Sequence, residues 1–365
     1  MVFGFVSSDV ELEHPEPAAE VEPTAEVEPT AEVEQVDFEA AEGLEINCNP
    51  EVDKDGDNIP DNLDVEGPID WSNCDLFGLN LSNLQLSGAN LSGSSLYAAD
   101  ISNTDLSGAN LSGTQIYKAN ISNTNFKYAD LSYANLCGAK SSLELPDGSN
   151  AAFDFTGADL SYADFDHAKL IDADLTDTTI VYTNFHDANL TYIDLSGKDI
   201  TGTILTSANL TGANLAGVDL SGKDLTGTIL SGIDLSGKDL TGTILKGADL
   251  TNANLNEVDL SGKDLTRAIL AGVDLSGRNL TETILRGVDL TDANLAGTIL
   301  TGVDLYKSIL TGADLSGKDL TGVILKKADL TNANLTGTNL TGADLTDANL
   351  TGTILNCIGH PICVE

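Results

Sequence analysis

The sequence predicts an all-β fold in which the chain winds as a coil with four short sides. An aliphatic or Phe residue occupies every fifth position from Leu76 to Leu136 and again from Phe155 to Leu355. A five-residue period matches neither the 3.6 residues of an α-helical turn nor the two-residue alternation of a flat strand. All nine prolines lie outside both arrays, as expected if the array residues form paired strands and tight turns.

Each pentad is expected to point its apolar residue, and the small residue two positions before it, into the coil. Asp or Asn, Ser or Thr, and Gly then face outward or form the turn. Through units such as Ala-Asn-Leu-Ser-Gly at Ala89 and Ala-Asp-Leu-Thr-Asn at Ala248, the chain resembles the pentapeptide-repeat family. The resemblance implies a right-handed quadrilateral parallel β-helix, a solenoid with about 20 residues per coil and stacked strands about 4.8 Å apart.

A coil of this length places residues that are 20 positions apart on top of one another. One expected face then alternates apolar and acidic residues: Ile204, Asp224, Ile244, Asp264, Ile284, Asp304, Ile324 and Asp344. This alternation separates neighbouring carboxylates by two strand spacings and reduces their repulsion. A second outward Ile set follows on the next face: Ile229, Ile269 and Ile309.

One column breaks the alternation, because Asp199, Asp219, Asp239 and Asp259 stack consecutively. Beside this column, cations recur at the small-residue position: Lys198, Lys238, Arg278 and Lys318. We expect these side chains to leave the core and neutralise the carboxylates, since a buried unpaired ammonium is costly. Local distortion of those pentads is the alternative.

Residues 1–46 form a separate acidic segment with 14 Asp or Glu and no Lys or Arg. Such a composition predicts a disordered acidic N-terminal tail, because it cannot bury enough apolar surface to offset ordering. It serves either as a tether or, through Val2, Phe3, Phe5 and Val6, as an end that docks on a strand of a neighbouring molecule.

Residues 47–74 predict a small calcium-binding cap. Carboxylates stand at positions 1, 3, 5, 9 and 12 of a loop, and Ile59 supplies a backbone carbonyl. The stretch resembles thrombospondin type 3 and EF-hand calcium loops, although Asn58 stands where Gly is usual and the last ligand is Asp rather than Glu. The alternative is a merely acidic linker. The candidate metal ligands are Asp53, Asp55, Asp57, Ile59, Asp61 and Asp64.

The remaining boundaries follow from the repeat. The first array covers 75–136, a loop insertion with Pro146 covers 137–152, the second array covers 153–355, and a C-terminal cap covers 356–365. Disulfides are expected between Cys48 and Cys74 and between Cys357 and Cys363, which leaves Cys137 unpaired. Two such pairs favour an oxidising, extracellular setting.

Two groups of side chains with chemical potential also recur at a spacing of 20. Asp166-His167 and His186-Asp187 are expected to stack as weak surface ion pairs, with a surface metal site as the less favoured interpretation. Stacked pairs are also expected for Tyr97 with Tyr117 and for Tyr162 with Tyr182, chiefly as packing.

The formal charge of −40 argues against a nucleic-acid binder that works through basic patches. No apolar run is long enough to span a membrane, and no catalytic set is recognisable, so an enzyme is not expected. The sequence therefore predicts a calcium-stabilised structural and protein-interaction module, extracellular or at the cell surface. It would bind a protein partner or self-associate, as a homodimer or fibre, through the outward Ile residues or the ends of the coil.

A different class of function is the alternative. Some pentapeptide-repeat proteins, notably those conferring fluoroquinolone resistance, resemble duplex DNA in width and charge and occupy the DNA site of topoisomerases such as gyrase. The acidic coil fits this DNA-mimic role, whereas an intracellular DNA mimic would need neither the calcium loop nor the disulfides nor the Glu-rich tail. Ice binding is a third, weaker interpretation, because each pentad presents only one regular outward Ser or Thr.

Overall fold

The computed structural model describes residues 69–138 and 153–363, all of which belong to the compact unit Ile46–Glu365. Within these ranges every bridge is parallel and joins residues one coil apart. The described residues contain no helix, and each strand consists of a single bridge residue between two turns. The tail and the loop insertion expected from the sequence lie largely outside these ranges.

Four ladders of bridges define the four faces of the coil. Face 1 begins with Asp70↔Asn90, face 2 with Asp75↔Ser95, face 3 with Asn80↔Asp100 and face 4 with Gln85↔Asp105. The paired residues are 20 apart, which confirms the β-helical coil inferred from the five-residue period. We call the turn that follows each face by the same number, so corner 2 follows face 2.

The corners explain why the pentad needs its polar and small residues. In the pentad that begins at Asn90, the N–H of Ser94 donates to the carbonyl of Leu91 at 3.0 Å, and Gly93 adopts a φ of 66°. A positive φ at the third position of such a turn favours glycine. The N–H of Ser92 donates to Oδ1 of Asn90 at 3.2 Å. The Asp or Asn of each pentad thus fixes the turn that follows it.

The interior is filled by the two inward positions of the pentad. The fifth-position residues are almost all buried, as are most Ala and Val residues two positions before them. Trp71 occupies the pentad Leu position in the first described coil and is also buried. Aromatic residues fill the middle of the core, where Phe155 contacts Phe126, Phe153 and Phe165 with ring centroids 5.4 to 5.9 Å apart.

The stacking step changes first at the segment between residues 138 and 153. Three bridges there join residues 29 apart: Asn125↔Asp154, Asp130↔Asp159 and Asn135↔Asp164. The coil therefore resumes in the same register on faces 4, 1 and 2, with nine residues added to one turn (29 − 20). A further change occurs near the end, where Asn339 pairs with Ile358 and the Cys357–Cys363 disulfide closes a short loop. No helix in the described ranges could cross a lipid bilayer.

Candidate interaction surfaces

The predicted calcium ligands Asp53, Asp55, Asp57, Ile59, Asp61 and Asp64 lie outside the described residues, as does Cys48. Cys74 is disulfide-bonded, and its expected partner is Cys48. In the described ranges no group of three or more His, Cys, Asp or Glu side chains is arranged to hold a metal ion. The calcium site therefore stays a prediction of the sequence.

The outward Ile residues of face 2 form a regular column. Ile204, Ile244, Ile284 and Ile324 expose between 39% and 45% of their surface, and one coil with an Asp separates each from the next. Two strand spacings place successive Ile side chains about 9.6 Å apart. We call these four residues the Ile column. On face 3, Ile309 is exposed whereas Ile229 and Ile269 are half-buried.

Asparagine and aspartate interact along the ladders where they alternate. On face 4, the side-chain amide of Asn254 donates to Oδ1 of Asp234 at 2.8 Å, and Asn294 donates to Asp274 at 2.9 Å. The alternation thus does more than separate like charges, because each Asn supplies a donor to the carboxylate one coil before it.

The inward cations bind main-chain carbonyls of the preceding coil. Nζ of Lys238 donates to the carbonyls of Leu215 at 2.6 Å and Val218 at 2.9 Å. Arg278 donates to the carbonyls of Leu255 at 2.7 Å and Val258 at 2.9 Å. Lys223 and Lys263, which sequence reasoning overlooked, each bind the carbonyl 23 residues earlier. The remaining two, Lys198 and Lys318, bind the carbonyls of Thr178 and Thr298.

Threonine at the same inward position makes the equivalent bond. Oγ1 of Thr228 donates to the carbonyl of Leu205 at 2.8 Å, and Oγ1 of Thr203 donates to the carbonyl of Ile180 at 2.9 Å, each 23 residues earlier. The long cationic side chains therefore replace a hydroxyl donor. Burial lowers the pKa of Lys198, Lys223 and Lys318, which is the cost of holding an ammonium there.

The expectation that the four inward cations neutralise the Asp column of face 1 was wrong. In the described ranges none of them forms an ion pair with that column; their charged groups turn toward carbonyls, because those acceptors lie within reach inside the coil. Lys223 makes a small contribution to the lowered pKa of Asp199 and Asp219, and Lys263 does so for Asp239 and Asp259, in each case after the hydrogen bonds from the following Ser or Thr. The main cause of the lowered pKa of Asp199 is the Thr201 hydroxyl, followed by the Thr201 N–H.

The ladder of face 1 is interrupted near Lys198 and Lys238, as the alternative expectation of local distortion would predict, but Asn279 and Asp319, beside Arg278 and Lys318, still form bridges. On face 1 no bridge among the described residues joins Thr179, Asp199, Asp219, Asp239, Asp259 and Asn279. At Asp199 and Asp239 one physical reason is competition for an acceptor, because Lys198 and Lys238 bind the carbonyl that the N–H would use. Asp219 and Asp259 follow an inward Val and have no such competitor. Elsewhere on the face, as at Asp130, the N–H donates to the carbonyl 21 residues earlier. For Asp239 that carbonyl belongs to Val218, which Lys238 already binds.

Corner 2 gathers side chains of several chemical types along its length. Phe77 stacks on Tyr97 and Tyr97 on Tyr117, with centroids 5.2 and 5.4 Å apart. Lys118 lies 4.9 Å from the Tyr117 centroid. The tyrosine pair expected from the spacing is thus present, and it extends to Phe77.

The His–Asp cluster follows on the same corner. Nδ1 of His167 lies 2.8 Å from Oδ2 of Asp166, and Nε2 of His186 lies 3.3 Å from Oδ2 of Asp187. The two rings are edge-on at 6.2 Å, and Nδ1 of His186 pairs with the Thr206 hydroxyl at 2.8 Å. Each histidine thus contacts the aspartate beside it in the sequence, as expected for weak surface His–Asp pairs, and the second ring nitrogen of His186 is taken by the Thr206 hydroxyl.

Two further sequence expectations are met in the described ranges. Tyr162 stacks on Tyr182 at 4.8 Å, and Tyr133 extends this stack at 4.7 Å. Cys357 and Cys363 are joined by a disulfide, whereas Cys137 has a free thiol. Burial, followed by the charges of Asp166 and Asp164, raises the pKa of the Cys137 thiol, which makes it a poor nucleophile at neutral pH.

A family model for pentapeptide repeats matches the chain in eight copies. The matched ranges are 74–113, 105–140, 153–180, 183–222, 224–256, 248–287, 289–326 and 319–356. Together they include more than half of the chain. The chain belongs to the pentapeptide repeat family.

Several solved pentapeptide repeat structures are similar to this chain. HetL of the cyanobacterium Nostoc, a protein involved in heterocyst differentiation regulation, is 25% identical over 82% of this chain and 92% of its own, with a TM-score of 0.20. Rfr23 of the cyanobacterium Cyanothece is 39% identical over 27% of this chain and 64% of its own, with a TM-score of 0.23.

QnrB1, a plasmid-mediated fluoroquinolone resistance protein, is 23% identical over 52% of this chain and 90% of its own, with a TM-score of 0.23. At such TM-scores these likenesses carry no argument about function. A search of curated proteins returned no match.

Although the chain is strongly acidic overall, one part of corner 2 is rich in Lys and Arg, and we call it the basic stretch of corner 2. Six exposed or half-buried cations lie on five successive coils of that corner: Lys246, Arg267, Arg286, Lys307, Lys326 and Lys327. Sequence reasoning missed them because a net charge for the whole chain hides a local cluster. Along the chain these residues are mostly 19 to 21 positions apart, and only the coil brings them together. Sorting the turn residues by corner would have found them.

Proposed function

We propose that the chain is a non-enzymatic structural and protein-interaction module, secreted or displayed at the cell surface, with a calcium-stabilised N-terminal cap. The Ile column carries this proposal. Scattered exposed apolar residues are ordinary on protein surfaces, but a straight column on one face is a typical feature of an interaction site. Its occupant is a second copy of the chain or a protein partner with matching apolar spacing.

Self-association is tested by sedimentation velocity of the full chain over a range of concentrations, with calcium present. We expect concentration-dependent association that is lost in an I244N/I284N variant. Asn is a conservative choice because Asn184 holds the corresponding face 2 position one coil before Ile204. The matched control is I299N, which removes an equally exposed Ile from face 1. Monomers at every concentration would overturn self-association and leave a foreign partner.

The calcium cap is supported by the carboxylate spacing in residues 53–64 and is tested separately. Calcium should raise the Tm of the full chain and leave the Tm of a D53N/D57N variant unchanged, because both substitutions remove charged oxygen ligands. An equal rise in both proteins would show a nonspecific effect of the cation. A secreted or surface location is supported by the Cys357–Cys363 disulfide.

The Asp column of face 1 favours a second candidate function. Asp199, Asp219, Asp239 and Asp259 are exposed and stack on consecutive coils without neutralising ion pairs in the described ranges. A dense line of carboxylates is the feature that a DNA mimic bound to a topoisomerase requires. A gyrase supercoiling assay with the full chain distinguishes the two functions. Potent inhibition that is lost in D219N/D239N would favour the DNA mimic over the proposed module.

A further inference from the structure

The basic stretch of corner 2 is held in a fixed column by the backbone. The N–H of Arg267 donates to the carbonyl of Arg286 at 2.8 Å, and the N–H of Lys307 donates to the carbonyl of Lys326 at 3.0 Å. Gly287 continues the same ladder by donating to the carbonyl of Tyr306 at 2.7 Å. The cations are therefore spaced by the coil itself, whatever their own side-chain freedom.

These cations occupy positions that other residues fill at lower energetic cost. Arg267, Lys307 and Lys327 have φ values of 59° to 60°, a region that costs a non-glycine residue about 1 kcal/mol or more. In the described ranges every Lys or Arg with a positive φ lies on corner 2, the fourth being Lys118. At the same turn position on the other corners, the charged residues with a positive φ are acidic, as at Glu257 and Glu282.

Local carboxylates account for only half of the positive charge. Arg286 pairs with Asp304 at 3.5 Å. Lys246 lies near Asp264 and Lys326 near Asp344, in each case close enough to lower the pKa of the carboxyl. By contrast, Arg267, Lys307 and Lys327 form no ion pair with any described residue, and all three are exposed.

The unpaired cations border a groove. An open groove of about 430 Å³ lies at Gly287, between Arg267 and Lys307 in the column, and Lys246, Arg286 and Tyr306 also line it. The Tyr306 ring is contacted by Arg286 at 5.0 Å and by Lys307 at 5.5 Å. This ring therefore positions cations at the groove.

We propose that the basic stretch of corner 2 binds an extended acidic polypeptide segment, with carboxylates of the ligand paired to Arg267, Lys307 and Lys327. This inference rests on the proposed protein-interaction function and names its partner chemistry. Arg267 and Lys307 are two coils apart, about 9.6 Å. Three residues of a polyproline II helix rise about 9.3 Å, so Glu at every third position matches the cations.

The surroundings of the corner favour a polypeptide over other polyanions. Ile284 and Ile324 on face 2 and Ile309 on face 3 flank the cations with exposed apolar surface, which suits the side chains of a peptide. Asp264 and Asp304 on face 2 and Asp289 on face 3 lie on either side, so a wide nucleic-acid duplex would bring its phosphates against them. Single-stranded nucleic acid would find Tyr306 already engaged by cations.

The test measures fluorescence anisotropy of a labelled peptide of about 15 residues, with the repeat Glu-Pro-Leu to favour the polyproline II register, bound to the full chain. An R267E/K307E variant should weaken binding about tenfold or more, a loss of about 1.4 kcal/mol or more. Glu is tolerated at this turn position, as Glu257 and Glu282 show. The control K127E/K169E changes net charge equally on other parts of the coil and should bind as the native chain does.

Three results would overturn the proposal: no peptide binding by the native chain, equal loss in R267E/K307E and K127E/K169E, or equal binding of a scrambled peptide of the same composition. Tighter binding of a sulfated polysaccharide or of single-stranded DNA would also reject the polypeptide ligand. Circular dichroism confirms folding, and R267Q/K307Q repeats the measurement without charge reversal. Neither variant alters the Ile column, so sedimentation tests the proposed module independently.

Discussion

The coils before Ser196 and those after it share one backbone plan but differ in what fills it. Before Ser196, aromatic rings fill part of the core and form stacks along corners 1 and 2, and the bridge ladders are continuous on faces 1 and 2. After Ser196 the chain has no Phe or Trp, six Lys or Arg side chains occupy inward positions, and face 1 loses its bridges from Asp199 to Asp259. The pentad alone therefore does not secure the ladder, and inward cations compete for its acceptors beside Asp199 and Asp239.

The core is where the two regions should differ most. Phe155→Ala removes a fully buried ring that contacts three others, and should cost about 3–5 kcal/mol with some further loss from the ring pairs. Leu225→Ala, in the regular region, is the matched variant and should cost less. Urea unfolding of the full chain measures both. If Leu225→Ala lowers the free energy of unfolding as much as Phe155→Ala or more, the aromatic core adds no extra stability over the aliphatic core.

The inward cations give the second largest expected effect. Lys238→Ala leaves the carbonyls of Leu215 and Val218 without the ammonium and should cost about 3 kcal/mol. Lys238→Thr should recover most of this, because a hydroxyl can bind the Leu215 carbonyl, as that of Thr228 binds Leu205. It also leaves the Val218 carbonyl open to the N–H of Asp239.

Amide hydrogen exchange measures the second part of this prediction. Protection of the Asp239 amide should rise in Lys238→Thr if competition for the Val218 carbonyl explains the missing bridge. Unchanged exchange there, with stability equal to that of Lys238→Ala, would contradict the explanation. Thr228→Ala serves as the reference for losing one hydroxyl bond, at about 1 kcal/mol.

The same contrast shows how far the sequence alone could predict this molecule. The 20-residue coil, the inward Leu and Ala, the tyrosine stacks and the Ile column followed from spacing, because a repeat fixes which residues share a face. The cations at Lys198 and Lys238 were placed at the right positions, but their partners were not foreseen. A side chain that long can reach either a carboxylate outside or a carbonyl inside, and spacing does not decide between them.

The basic stretch of corner 2 illustrates a different limit. Lys246, Arg267 and Arg286 are separated by one coil each, so their proximity appears only when the turn residues are aligned by corner. Whether a cation lies near a carboxylate, as Lys246 lies near Asp264, or has no such neighbour among the described residues, as with Arg267, depends on which of the two turn positions it occupies. That distinction comes from the corner geometry.

The stack of Tyr133, Tyr162 and Tyr182, which lies on corner 1, should show an intermediate effect of about 2 kcal/mol on the free energy of unfolding when it is overpacked. Gly202 and Gly222 both have a φ of 67° at the same corner, but a Cβ at Gly202 would collide with the Tyr182 ring whereas a Cβ at Gly222 would meet open space. Gly222→Ala should therefore cost only about 1 kcal/mol from its left-handed backbone, and Gly202→Ala should cost more. Near-ultraviolet circular dichroism should report loss of the tyrosine stack in Gly202→Ala alone.

The double variant Y182A/G202A checks the cause. In the Tyr182→Ala background, the cost of Gly202→Ala should fall to that of Gly222→Ala, because the colliding ring has gone. If the cost stays unchanged, the collision is not its source.

The smallest expected effect concerns the alternating ladder of face 4. Asn254→Asp replaces a donor to Asp234 with a second carboxylate, which recreates the like-charge stacking of face 1 and should lower the Tm slightly at neutral pH. The effect should shrink in high salt, because both groups are exposed.

The Ser236 hydroxyl, followed by the Ser236 N–H, lowers the pKa of Asp234 below its unfolded value. The stability this carboxylate contributes is therefore present above about pH 4 and lost as the pH falls through the folded pKa. At a pH where both carboxyls are protonated, Asn254→Asp and the native chain should have the same Tm. A difference in Tm that persists at that pH would show that the lost hydrogen bond, and not charge repulsion, is the cause.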